Sequence, residues 1–314
     1  MTPDRRAFLR SGVAALGALV VPGAGCARRG AAPVDAGAAT HPDMRVSLAE
    51  WSFHRKIRAG ALDPLDFAPF ARERFGLDTV EHVNQFFAGR KGDDAYFGEM
   101  RRRADDAGVR SLLVMCDVEE RLGDPDAARR ALAVHVHRAW LDAAAVLGCE
   151  SIRVNAASDE RLPADEQMRL CAEGLYRLCD AAAPYQLRVL VENHGGLSSR
   201  GDWLAALVQA VAHPRIGTLP DFGNWQYAPG EWYDRYRGVA ELMPWAGAVS
   251  VKSHDFDAAG NETTTDFARM LRIVADAGYD GWLGVEYEGD RLSEEDGVRA
   301  TIELVRRVAP LPVR

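Results

Sequence analysis

Glu192, Asn193 and His194 close a short apolar run, residues 188–191, and two glycines follow at once. Side chains alternate along a strand, so Glu192 and His194 share one face and Asn193 points the other way. A carboxylate and an imidazole side by side at the end of a buried strand suit a metal site or proton transfer. Five more apolar runs end in polar chemistry of the same sort. Residues 78–83 carry Glu81 and lead to Asn84 and Gln85; 151–154 contain Arg153 and lead to Asn155. Residues 216–219 lead to Asp221; 247–252 end in Lys252, with His254 two positions on; 282–285 lead to Glu286, Tyr287 and Glu288. Glu192, Asp221, His254 and Glu286, from four consecutive strands, suit one divalent cation with oxygen-rich ligation: Mn, Mg or Co, or Zn with carboxylates. Charges gathered in this way are costly without a cation or mutual hydrogen bonds.

The elements that must position these residues follow from hydropathy patterning. From residue 44 on, short apolar runs alternate with longer amphipathic ones. Strands are predicted at 45–48, 78–83, 110–115, 151–154, 188–192, 216–219, 247–252 and 282–285. Helices are predicted at 64–74, 94–107, 124–147, 164–185, 202–211, 233–243, 266–277 and 293–308. Glycines such as Gly108, Gly148 and Gly278 follow the last helical residues, as helix C-termini prefer. Eight strand–helix pairs in strict alternation predict an α/β fold, a single (β/α)8 TIM barrel spanning 44–314. A doubly wound sheet would carry a glycine-rich phosphate loop after an early strand, whereas residues 49–54 read Ala-Glu-Trp-Ser-Phe-His. In a barrel the strand C-termini share one mouth, so the polar strand ends meet there. The loops of that mouth hold Trp51, Phe53, Phe86, Phe87, Trp225, Tyr227 and Trp232, whose faces suit the C–H faces of a sugar. Trp51 and Trp225 are taken as substrate contacts, with Glu81, Arg153, Asn155 and His194. His135 and His137 are two apart on a predicted helix and face different ways.

The first residues stand outside this fold. Asp4-Arg5-Arg6-Ala7-Phe8-Leu9-Arg10 looks like a twin-arginine export signal, and the small, apolar stretch 11–25 is too short and Gly-rich to span a membrane well. Gly23-Ala24-Gly25-Cys26 resembles a lipoprotein cleavage site, with Cys26 as the lipid-bearing residue. Gly23 stands where such sites carry Leu, so ordinary signal-peptidase cleavage is the alternative. Residues 27–43, rich in Ala, Gly and Pro, read as a linker. The protein is thus expected to be exported, in the periplasm or held at a membrane by lipid. Removing residues 1–26 takes away three Arg and one Asp, so the net charge moves from −8 to −10. That balance argues against a nucleic-acid partner. Cys116, Cys149, Cys171 and Cys179 form no CxxC pair and read as buried thiols, with a disulfide as the alternative.

Val191-Glu192-Asn193-His194, Pro220-Asp221-Phe222-Gly223-Asn224 and Gly284-Val285-Glu286-Tyr287-Glu288 resemble motifs of the sugar phosphate isomerase/epimerase family, the xylose-isomerase-like barrels. The resemblance runs from about residue 44 to 308. It implies that Glu192, Asp221, a His and Glu286 bind one divalent metal, and that Glu192 and Glu286 also shuttle protons. The family's His stands two residues before the strand-seven lysine, where this chain has Ser250; His254 and His194 are the substitutes. The implied reaction is metal-dependent isomerisation or epimerisation of a small carbohydrate through an enediolate. Lys252 would stabilise an oxyanion, orient Glu192, or form a simple salt bridge in the mouth. An exported protein is expected to meet a free sugar, keto-sugar or cyclitol. The alternatives are β-elimination on a keto-glycoside at the same site, a nuclease-like barrel, which would need more His and a basic face, and a non-catalytic sugar-binding protein.

Overall fold

The computed structural model describes residues 44–313; residues 1–26, including Cys26, and the linker 27–43 lie outside the described residues. Eight parallel strands line up as β1 (Arg45–Ala49), β2 (Thr79–Val83), β3 (Arg110–Met115), β4 (Ser151–Asn155), β5 (Arg188–Glu192), β6 (Ile216–Leu219), β7 (Val249–Ser253) and β8 (Trp282–Tyr287). Each pairs with its neighbours in chain order, and β1 also pairs with β8. The remaining seam, β6 to β7, is closed by single bridges. Gly247 N donates to Thr218 O at 2.9 Å, Ser250 N to Pro220 O at 2.9 Å, and Phe222 N to Ser250 O at 3.1 Å. Gly217 permits this close approach, because a Cβ there would lie 2.8 Å from the Trp245 carbonyl oxygen. The expected (β/α)8 barrel is therefore the fold.

The helices that cover it are α1 (Phe67–Phe75), α2 (Asp94–Asp106), α3 (Ala127–Leu147), α4 (Ala164–Ala182), α5 (Gly201–Val211), α6 (Arg235–Leu242), α7 (Phe267–Asp276) and α8 (Glu294–Val308). Their ends are set locally. Asp126 accepts from the Ala128 and Arg129 amides to start α3, and Gly148, at φ 79°, ends it in the left-handed conformation that favours glycine. Outward strand residues such as Val80, Val114, Ile152, Val191 and Val285 form the main core beneath the helices. Inward residues Ala49, Val83, Leu113, Met115, Leu190, Leu219 and Ala248 fill the tube below the mouth. The predicted elements match to within a few residues at their ends. The sequence reading misses a short helix, His54–Arg58, and an antiparallel ribbon of Gln226–Ala228 with Glu231–Trp232. Both are too short to show a period. Cys116, Cys149, Cys171 and Cys179 are buried free thiols, so the disulfide alternative falls away for them. His137 is buried, with Nδ1 against the Ala133 carbonyl at 2.7 Å, while His135 is exposed, as their spacing implies.

Candidate active site

Alternation along each strand decides which polar side chains enter the mouth. On β5, Leu190 fills the tube and Glu192 stands one layer above it; Ala248, just before β7, and Ser250 and Lys252 on it face inward in the same way. On β8, Gly284 and Glu286 share that face. The strand ends thus deliver Glu192, Asp221, Lys252 and Glu286 to one buried place, each at most 4% exposed.

Two cations organise it. The first is Arg153. Its Nε lies 2.5 Å from Glu192 Oε2, and its Nη1 donates to Asp117 Oδ1 at 2.6 Å. The Nε–Oε2 contact is a close charge pair without hydrogen-bond alignment. Asn155 Nδ2 donates to the same Asp117 oxygen at 3.0 Å. Burial opposes charge on Arg153, but Glu192 and Asp117 outweigh it and push its pKa up. Burial likewise opposes charge on Asp117, yet Arg153 holds that carboxyl down at about 2.

The second cation is Lys252. Its Nζ lies 3.0 Å from Glu286 Oε1, 3.1 Å from Glu288 Oε2 and 3.8 Å from Asp221 Oδ2. Burial opposes its charge, but Asp221, Glu286 and Glu288 dominate and carry its pKa well up. Burial pushes the Asp221 and Glu286 carboxyls up against the pull of Lys252. Glu288 feels burial too, but Lys252 and the Trp51 indole N–H bring it below the usual range. Asn224 joins the two halves: its Nδ2 donates to Glu192 Oε1 at 3.0 Å and its Oδ1 accepts from Lys252 at 3.4 Å. The Asp221 Oδ1 atom accepts from the Gly223 and Asn224 amides at 2.7 and 2.8 Å. Asn193, on the opposite face of its strand, accepts from the Asp221 amide and donates to the Asp221 and Asn224 carbonyls, which ties β5 to the β6 loop.

Several expected roles change. Arg153 is almost wholly buried and committed to Asp117 and Glu192, so it positions Glu192 instead of meeting a substrate. Lys252 pairs with Glu286 and Glu288; Glu192 has Arg153 as its partner. Glu81 is buried lower in the tube, where it accepts from Ser47 Oγ at 2.6 Å and lies against Gly284; burial pushes it up to about 7. Trp225 is fully buried, packed against Gly238 and stacked on Tyr233 at 6.2 Å, and Phe53 and Phe87 are buried as well. These three aromatics are packing residues. Trp51 keeps a place at the mouth, stacked on His54 and Phe86 and bonded to Glu288.

His194, Asn224, Trp232, Arg235 and His254 line a cavity of about 610 Å³, which meets the charged cluster at Asn224. His194 also borders an adjoining cavity of about 860 Å³ that reaches Asn155 and Tyr227. Space of this size admits a carbohydrate. A further cavity, of about 440 Å³, lies at the opposite end of the barrel by Asp78, Arg110 and Trp282, remote from the carboxylates.

The residues do not fit the expected metal. Among the described residues, no group of three or more His, Cys, Asp or Glu side chains is arranged to hold one. His254 is half exposed in the loop after β7, its Nε2 3.8 Å from Glu288, and His194 is exposed on the β5 loop. Neither completes a ligand set with Glu192, Asp221 and Glu286, because Arg153 and Lys252 already engage those carboxylates.

Asp117, Asn224 and Glu288 join the charged cluster, though sequence reasoning leaves them without a role. Asp117 directly follows the third strand's apolar run and Cys116, so the strand-end rule applied to β3 would have found it. Asn224 directly follows Gly223 in the loop after β6, and its bridging role depends on β5 and β7 lying to either side.

A (β/α)8 barrel whose mouth gathers buried carboxylates around fixed cations defines the class. Residues 70–308 match the family described as xylose isomerase-like TIM barrel, and the chain belongs to that family. A putative hydroxypyruvate isomerase of Mus musculus is 31% identical over 84 residues, 26% of this chain and 29% of that one. The chain thus aligns with under a third of that relative's length. The solved structure of 3-keto-D-glucoside 4-epimerase, YcjR, from E. coli superposes with TM-score 0.64 at 17% identity, covering 83% of this chain and 99% of that one. The IOLI protein with a bound zinc atom gives TM-score 0.68 at 13% identity, covering 84% and 98%. At such identities the superpositions speak for the fold.

Proposed function

We propose that this protein is an isomerase or epimerase that moves a proton on the carbon skeleton of a free carbohydrate. The observation that carries this reading is the pair Glu192 and Glu286. They are buried carboxylates from strands separated by two others, each with an oxygen against a fixed cation, and Asn224, which bonds both Glu192 and Lys252, lines a sugar-sized cavity.

One carboxylate takes a proton from the carbon beside a carbonyl. The electron pair of that C–H bond moves into a new C=C bond, and the carbonyl π pair moves onto oxygen as an enediolate. Return of a proton to the former carbonyl carbon, with the proton of the adjacent hydroxyl passing to the former carbonyl oxygen, isomerises the sugar; return to the opposite face of the same carbon, with the carbonyl re-formed, epimerises it. No oxidant or reductant is consumed. Carboxylates on two sides of a bound sugar can serve as acid and base, and the Lys252 ammonium is the positive charge at the Glu286 end for a developing oxyanion. Membership of a family with sugar isomerases among its relatives supports the assignment. An unphosphorylated substrate belongs to the same proposal, supported by the export-like residues 4–26 and, with a lipid on Cys26, a place at the cell envelope.

The test is exchange of substrate C–H for deuterium in D2O, followed by NMR over a panel of ketoses, aldoses and 3-keto-glycosides. Uptake by the wild-type protein, reduced about 100-fold or more in Glu192→Gln and in Glu286→Gln, is the expected result. Sugar binding without exchange on any member of the panel would replace this reading with a binding protein. Exchange accompanied by release of an aglycone would assign β-elimination.

A further inference from the structure

We propose that the Lys252 ammonium takes the place of the metal ion in this barrel, so that the site is built to work without a divalent cation. The inference rests on the reading of the mouth as a carbohydrate site, and four observations carry it.

The ammonium is where a cation shared by the carboxylates belongs. It has oxygens of Glu286, Glu288 and Asp221 at 3.0, 3.1 and 3.8 Å and the Asn224 amide oxygen at 3.4 Å. A divalent ion needs carboxylate oxygens at roughly 2.0 to 2.6 Å. An ion placed among these carboxylates would lie beside the ammonium, where like charges in a buried site repel strongly.

The strand position that would offer an imidazole carries Ser250. Its hydroxyl instead donates to Glu286 Oε2 at 3.3 Å, which settles the oxygen of Glu286 that Lys252 leaves free. His254, beyond the strand and half exposed, approaches only Glu288, at 3.8 Å.

The chain also makes room for the lysine stem. A Cβ on Gly223 would lie 2.9 Å from Lys252 Cδ and 3.1 Å from Cγ, inside contact distance. The β6 loop therefore seats the lysine methylenes against backbone that carries no side chain.

Finally, both oxygens of the fourth carboxylate already have neighbours within the protein. Glu192 has one oxygen against Arg153 and the other against Asn224. Binding a metal through it would require breaking the Arg153 pair as well as displacing Lys252.

The experiment measures metal without substrate, so its result is independent of the deuterium-exchange test of the reaction. Purified full-length protein is stripped with chelator, re-equilibrated with Mn²⁺, Co²⁺ or Zn²⁺, and assayed by mass spectrometry of bound metal and by titration calorimetry. Wild-type protein should hold far less than stoichiometric metal. Lys252→Met combined with Ser250→His, checked for folding by circular dichroism, should gain a saturable, stoichiometric site. Stoichiometric binding by the wild type would overturn the proposal. A folded double variant that gains no metal would overturn it too, since the lysine would not then be what occupies the cation's place.

Discussion

Nε of Arg153 lies 2.5 Å from Oε2 of Glu192, and the same guanidinium donates to Asp117 at 2.6 Å. One residue on β4 thus holds together an acid from the segment just after β3 and one from β5, and so fixes the orientation of Glu192. Removing the guanidinium leaves two carboxylates near each other without their cation. Arg153→Met should therefore destabilise the protein by about 3–5 kcal/mol in urea unfolding. Arg153→Lys keeps the charge but not the planar fork, so it should recover part of that loss. A cost no larger than that of an exposed pair, about 1 kcal/mol, would mean that Glu192 is held by other contacts.

Gly223 and Lys252 are coupled through space that only a glycine leaves open. Gly223→Ala should force the lysine stem aside and cost about 1–3 kcal/mol by thermal or urea unfolding. Deuterium exchange should fall with it, because the ammonium moves off Glu286. Unchanged exchange in Gly223→Ala would show that the position of Lys252 is not critical.

Trp225 and Trp232 both stand on the β6 loop and should behave in opposite ways. Trp225 is fully buried against Gly238 and Tyr233, so Trp225→Ala should cost about 3–5 kcal/mol of stability. Trp232 is 57% exposed and lines the mouth, so Trp232→Ala should leave stability within about 0.5 kcal/mol while weakening carbohydrate binding. Paired unfolding curves and sugar titrations distinguish the two roles.

Glu50, just past β1, is fully buried; Oε2 accepts from the Val83 amide at 2.8 Å and Oε1 has no partner. Burial pushes its carboxyl from 4.5 up to about 8, with the Val83 bond pulling the other way. Between those values the folded state binds more protons than the unfolded one, so stability must fall as pH rises. The fall begins near pH 4.5 and is complete above about pH 8. Its size is on the order of 5 kcal/mol at most. Glu50→Gln should remove this slope, which the difference between wild-type and variant unfolding free energies at pH 5, 6.5 and 8 would reveal. Parallel curves would show that Glu50 is ionised, and paired, throughout.

Much of this protein is legible before any tertiary contact. Apolar runs of strand length, amphipathic runs of helix length and glycines after the helices place each barrel element to within a few residues, because these signals are local to the backbone. The same alternation puts Glu192, Asp221, Lys252 and Glu286 at one mouth, since strand period and barrel closure suffice to orient them. What alternation states is a face, not a partner. That Lys252 sits among Asp221, Glu286 and Glu288, and that Arg153 turns to Glu192 and Asp117, depends on the distances between strands far apart in the chain. Trp225 reads as a mouth aromatic because a loop tryptophan has no period to betray its direction; its burial is decided by Gly238 on α6. The metal expectation follows from residue types alone. Only the tertiary structure places a tethered ammonium among those carboxylates.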